Sequence, residues 1–186
     1  TAIELDPTDG KIDSNLGQLY GDQDKFDQAI TSYNSALSKD STLYRVHYHK
    51  GTIYSKQNKN TLAEAAFTNA VTVNPEYALG WRTLGVMLHK QAKYGKAVSA
   101  FQRAVAIDPK DGRSYFRMAE SLIKLNRYEE TIAAGLKALQ YAKTTYHAPA
   151  QLAMGQAYAG LGNKASAREY FTKAKSNPRY SDLANW

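Results

Sequence analysis

The sequence predicts an all-α chain, an α-solenoid of stacked antiparallel helix pairs. Three observations predict it: a repeat of 34 residues, two apolar stripes of helical spacing in each period, and turn formers between the stripes. Such a period decides the architecture before any local propensity is weighed. A single pair is too small to bury its own apolar face, so it must stack on its neighbours.

The beat is carried by Leu16-Gly17, Lys50-Gly51, Leu84-Gly85, Met118-Ala119 and Met154-Gly155. Three residues after each pair stands Tyr20, Tyr54, Leu88, Leu122 or Tyr158. The steps from 17 to 51, 51 to 85 and 85 to 119 are each 34 residues. The step from 119 to 155 is 36, which places a two-residue insertion near "ALQYAKTTYHAP". A second set keeps the same time: Ala29/Tyr33/Ala36, Ala63/Phe67/Ala70, Ala97/Phe101/Ala104 and Ala167/Phe171/Ala174, with repeat four departing as Thr131/Gly135/Ala138.

Numbering each repeat from its first residue gives repeats at 10–43, 44–77, 78–111, 112–147 (with the insertion) and 148–181. Positions 4, 7, 8 and 11 fall within roughly 100° of one another at about 100° per residue, one helical stripe. They define helix A. Positions 20, 24 and 27 make a second such stripe and define helix B. Between them lie turn formers, read as Gly21, Asn58, Asn126 and Gly162. Small residues at 8, 20 and 27 allow close backbone approach, and large ones at 4, 11 and 24 fill the remaining space. Trp81, Tyr54 and Phe171 are therefore expected in the core. Lys50 replaces an expected Leu in repeat two, so its stem must snorkel or the hairpin packs loosely. Asp13 and Gln151 stand where an aromatic is expected at position 4. Residues 1–9 read as the end of a preceding helix B, and 182–186 as the start of a capping helix or a further repeat. With no initial Met, the chain is expected to be a piece of a longer protein.

The pattern W-x-x-L-G-x-x-Y, then A-x-x-x-F-x-x-A, then P, best seen from Trp81 to Pro109, resembles the tetratricopeptide repeat (TPR) family. The resemblance spans essentially the whole chain. It implies a right-handed TPR superhelix in which helix A positions 2, 5, 6, 9, 12 and 13 line a concave groove for extended peptides. Chaperone-binding members of the family grip a terminal carboxylate with a set of Lys, Asn and Arg residues. The corresponding places in repeats two to four hold Tyr48, Thr52, Thr83, Arg113 and Arg117, of which only the two arginines fit. Chaperone-tail binding is therefore not expected.

Composition narrows the chemistry. With no cysteine there can be no disulfide, thiolate metal site or thiol nucleophile. No apolar run is long enough to span a membrane and no signal-peptide pattern is present, and cytoplasm and bacterial periplasm are both compatible. The histidines His47, His49, His89 and His147 lack helical metal-ligand spacing. "GLGNKA", Gly160 to Ala165, fits a dinucleotide-loop pattern, but it follows a helix and not a strand. No catalytic residue, metal or cofactor is expected, and the chain is not expected to be an enzyme.

Charge placement is the informative feature. The net charge is +7, from 24 Lys and Arg against 17 Asp and Glu. The thirty groove positions hold eight basic residues (Lys11, Arg45, Lys56, Arg82, Lys90, Arg113, Arg117 and Lys124) against two acids, Asp22 and Glu120. Elsewhere the two signs nearly balance, sixteen to fifteen. A solvated face without a role usually mixes signs, and gathered like charges focus the field on an anionic partner. The expected ligand-binding set is Arg45, Tyr48, His49, Thr52, Lys56, Arg82, His89, Lys90, Arg113, Phe116, Arg117, Glu120 and Lys124. In it Tyr48 and Phe116 would stack on the ligand, and His49, Thr52 and His89 would hydrogen-bond to it. Repeat five offers an uncharged surface, Pro149, Leu152, Ala153, Gln156, Ala159 and Gly160, for an apolar side chain of the ligand or for a neighbouring repeat.

The function expected from this is a non-catalytic scaffold that binds an acidic or extended peptide segment of a partner protein. The alternative is an anionic polymer, nucleic acid or polysaccharide, tracked by the same groove. Self-association through exposed terminal repeats is a further expectation. Reversing the charge of Arg82, Arg113 and Arg117 together is expected to abolish capture without altering helical content.

Overall fold

In a computed structural model, residues 10–178 are described. The expected segments at 1–9 and 182–186, with 179–181 of repeat five, lie outside them. The described residues form ten α-helices and one 3₁₀ turn, with no strand among them. In order the helices are α1 (Lys11–Asp22), α2 (Phe26–Lys39), α3 (Tyr44–Lys56), α4 (Asn60–Val73) and α5 (Ala78–Lys90). There follow α6 (Tyr94–Ile107), α7 (Gly112–Lys124), α8 (Tyr128–Tyr141), α9 (His147–Gly160) and α10 (Lys164–Lys175). The chain divides into two compact units, Thr1–Gly80 and Trp81–Trp186. In the first, α1 packs on α2 and α3 on α4, and α3 also packs on α1 and α2. In the second, α7 packs on α6, α8 and α9, and α9 on α8 and α10.

The turn from helix A to helix B has one construction throughout. A single residue takes a left-handed conformation at Asp24, Asn58, Ala92, Asn126 and Gly162, with φ of 55°, 58°, 57°, 56° and 74°. The next residue donates its N–H to a carbonyl five positions back: Lys25 to Tyr20, Lys59 to Tyr54, Lys93 to Leu88, Arg127 to Leu122 and Asn163 to Tyr158. This is the Schellman stop, which satisfies carbonyls that the helix end would otherwise orphan. The expected turn residue Gly21 is corrected: it is buried inside α1, and Asp24 makes the turn. Ala92 has neither the glycine nor the Asn/Asp licence for this conformation. Ala92→Gly is expected to raise stability by about 1 kcal/mol, read as a higher urea midpoint at unchanged slope.

The core follows one packing rule. The ring at position 24 of helix B lies flat on the glycine at position 8 of helix A. A Cβ on Gly17, Gly51, Gly85 or Gly155 would come within 2.5–2.7 Å of Tyr33, Phe67, Phe101 or Phe171 respectively. These four rings are 0–6% exposed. In repeat four the roles move. Gly135 takes the ring's place, and a Cβ there would meet Met154 of α9, 2.4 Å away. Met154, fully buried, fills the volume that the missing ring leaves.

The polar departures find partners. Lys50 snorkels, its ammonium donating to Asn34 Oδ1 at 2.7 Å. Asp13, in place of an aromatic, accepts from Ser35 Oγ at 2.7 Å and pairs with Lys39 at 2.9 Å, tying α1 to α2. Three of the helix B to helix A links begin with an Asx turn: Asp40 caps the Thr42 N–H, Asn74 that of Glu76 and Asp108 that of Lys110. The fourth has Ala142 at that place, which carries no acceptor, and there the insertion forms the 3₁₀ turn Thr144–Tyr146.

Candidate ligand-binding faces of helices α3, α5 and α7

In the first unit the expected residues of α3 are largely engaged with their own helix pair. Tyr48 packs against Phe67 and Tyr77, both with ring centroids at 5.5 Å, and Thr52 donates to the Tyr48 carbonyl at 3.2 Å. His49 lies parallel to Tyr33 at 6.1 Å. Burial, and then the nearby Arg45 charge, hold the His49 imidazole below its ordinary range. Lys56 reaches Asp24 Oδ1 at 3.2 Å and lies over the Phe26 ring. Arg45 is exposed, its Nε bonded to the Tyr44 hydroxyl at 3.2 Å. Tyr48, expected to stack on a ligand, is half-buried and already braced on two rings.

The second unit holds a connected polar cluster. His89 of α5 meets Ser121 of α7, Nδ1 to Oγ, at 2.8 Å. Ser121 gives its only hydroxyl hydrogen to the Arg117 carbonyl, 2.9 Å away, so it must accept from His89. That fixes the proton on Nδ1 and leaves Nε2 as an acceptor. Burial lowers the His89 pKa; the Glu120 charge works against that, while Arg117 and Lys124 add to it. The imidazole is therefore neutral at pH 7. Arg117 pairs with Glu120 at 2.7 Å and lies over the Phe116 ring, 5.0 Å from its centroid. Lys90, Arg113 and Lys124 are exposed and enter no ion pair among the described residues.

Two expectations are corrected here. Phe116 was expected to stack on a ligand, but it is 3% exposed, packed with Ala138 and Ala150, with Tyr146 laid over it at 5.2 Å. Its place is the core. Arg82, expected among the groove cations, is engaged within the chain: its Nη1 donates to Asp111 Oδ2 at 2.8 Å, and Asp111 is buried. Asp111 also caps α7, accepting from the Ser114 N–H at 3.2 Å and hydroxyl at 2.7 Å. Burial acts to raise its pKa, but the Ser114 and Arg82 hydrogen bonds and the Arg82 charge together outweigh it. The carboxylate stays ionised. Reversing the charge at Arg82 would then set two carboxylates together in a partly dry site, so the expectation that this change spares the fold is withdrawn. In repeat five, the Gly160 surface is covered by the Tyr128 ring, which a Cβ at Gly160 would meet at 2.4 Å, and Ala153 is buried.

Sequence reading missed Asp111, Ser121 and Tyr146. Asp111 did carry a signal, since Asp three residues before Ser at a helix start is a capping pattern. Tyr146 carried another, because it sits in the insertion. Among the described residues no group of three or more His, Cys, Asp or Glu is placed to hold a metal ion, and no helix is long and apolar enough to cross a membrane.

Repeated helix pairs with a shared Schellman turn and a ring-on-glycine core define a helical-hairpin repeat protein. Comparison with known families names the repeat. Three models of the tetratricopeptide repeat match, at residues 48–112, at 100–133, and at 14–41 and 148–177. The chain belongs to the tetratricopeptide repeat family. Among solved structures, it is similar to YrrB, described as a TPR protein with an unusual peptide-binding site. The identity is 24%, with 94% of this chain and 89% of that one covered and a TM-score of 0.83. It is also similar to MamA, at 21% identity with 95% and 96% covered and a TM-score of 0.81. A third likeness is to MamA from Desulfovibrio magneticus RS-1, at 19% identity with 96% and 99% covered and a TM-score of 0.77. At these identities the likeness shows the fold. No curated protein matches the chain by sequence.

Proposed function

We propose that the chain is a non-catalytic scaffold that binds an acidic, extended segment of another protein on the helix A face of its second unit. The reading rests on the α5–α7 cluster. There Lys90, Arg113 and Lys124 are exposed cations without ion-pair partners among the described residues. Beside them His89 offers a fixed acceptor nitrogen to a peptide N–H or hydroxyl donor. Scaffolding by protein binding is the usual work of the family, and YrrB, described as having a peptide-binding site, shares the fold.

The internal pairing favours a peptide over an anionic polymer. Arg82 and Arg117 are neutralised by Asp111 and Glu120, so this face presents separated charges interleaved with polar groups. A nucleic-acid strand, whose affinity comes from neutralising many phosphates at once, is best matched by an unbroken cationic track. The test is fluorescence anisotropy of the whole chain with fluorescein-labelled hexaglutamate and with heparin, for the wild type and for Lys90→Glu with Lys124→Glu. The expected result is hexaglutamate binding that the double variant weakens at least tenfold, with unchanged circular dichroism. Binding of heparin alone, or hexaglutamate binding indifferent to the variant, would remove the acidic-peptide reading.

A further inference from the structure

The insertion between α8 and α9 leaves a shallow cleft of about 210 Å³ in the second unit, lined by Arg82, Lys110, Arg113, Tyr141, Lys143 and Tyr146, with Asp108 and Asp111 also in its wall. It lies at the loop edge where α7 begins and shares Arg113 with the face used above. The insertion creates it. In place of an Asx turn, the link runs through the 3₁₀ turn Thr144–Tyr146 and carries the Tyr146 ring onto Phe116. Its backbone also seats directly on the start of α7. A Cβ at Gly112 would lie 2.1 Å from the Ala142 nitrogen, so no residue but glycine admits this approach.

The charges do not cancel within the cleft. Four cations face two carboxylates, and both carboxylates are occupied: Asp111 by Arg82 and Ser114, Asp108 by the Lys110 backbone N–H. Lys110, Arg113 and Lys143 are exposed, and none of them forms an ion pair among the described residues. Arg113 is also held in place. Its guanidinium stands over the Tyr146 ring at 5.9 Å, Tyr146 lies on Phe116, and Arg117 covers the other end of this ladder at 5.0 Å from the Phe116 centroid. A cation fixed before binding loses less side-chain entropy when it binds, and a guanidinium with a free edge suits a carboxylate.

We propose that this cleft is a subsite for a carboxylate side chain of the bound acidic segment, held by Arg113, Lys110 and Lys143. The inference rests on the acidic-peptide reading above and adds a second anchor to it, contiguous with the first at Arg113. It is tested by hexaglutamate anisotropy on the whole chain with three double variants: Lys110→Gln with Lys143→Gln in the cleft, Lys90→Gln with Lys124→Gln on the helix face, and Lys96→Gln with Lys164→Gln as a control of equal charge. The cleft variant is expected to weaken binding about tenfold and the control less than twofold, with the Gly112 and Lys143 amide NMR signals shifting on titration of the wild type. Weakening by the helix-face pair alone would overturn the cleft and leave the acidic-peptide reading standing. Equal weakening by the control would overturn the cleft by showing only a net-charge effect. No binding by the wild type would overturn both.

Discussion

Phe101→Ala is expected to cost the second unit about 3–5 kcal/mol, among the largest losses available from one side chain. The ring is fully buried. It rests on the bare backbone of Gly85, where a Cβ would come within 2.6 Å, and its other neighbours on α6, Ala97 and Ala104, are too small to move into the space. Repeat four shows what a neighbour able to do so looks like. There Met154, a long flexible side chain from the next helix A, covers Gly135. Phe101 lies instead against bare backbone and alanines, and the cavity its truncation leaves adds its cost to the lost transfer energy. Urea unfolding followed by circular dichroism measures it. A loss under about 1 kcal/mol would mean that the ring-on-glycine contact does not anchor the hairpin.

Asp111→Ala is expected to be nearly as costly, about 3 kcal/mol or more. It removes the cap of α7, a loss of about 1 kcal/mol, and strands the Arg82 guanidinium, whose side chain is only 22% exposed. The second effect dominates, because breaking one half of a desolvated pair leaves its partner uncompensated. Adding Arg82→Met to Asp111→Ala should therefore restore part of the loss, and a double-mutant cycle in urea reads that coupling. Strictly additive effects would show that the pair contributes no interaction. The pH dependence has a definite sign. The folded-state pKa of Asp111 lies below the ordinary 3.8, so its contribution is fully present above that value. It is lost only as pH falls through the lowered folded value.

How much could be read from the chain depends on sequence distance. The fold was legible because a 34-residue period repeats the same local choices, and glycine at position 8 facing a ring at position 24 announces close packing. The turn was legible at Asn58, Asn126 and Gly162, whose residue types favour a left-handed backbone, but not at Ala92, which gives no such signal. The site was legible only as a face. Helical geometry placed Arg82, Arg113 and Arg117 together, yet it could not foresee that Asp111, 29 positions on, would claim Arg82. Nor could it foresee that a tyrosine delivered by a two-residue insertion would close over Phe116. Pairings across repeats depend on tertiary contact, which periodicity does not encode.

On the proposed function, exposed cations of the second unit select acidic peptide segments. Affinity selection from a random peptide display library, using the whole chain as bait, is the measurement that decides it. The expected winners are rich in Asp and Glu, and their retention falls with added salt and fails on the Lys90→Glu, Lys124→Glu variant. Winners that are neutral or basic, or that the variant retains as well as the wild type does, would contradict it.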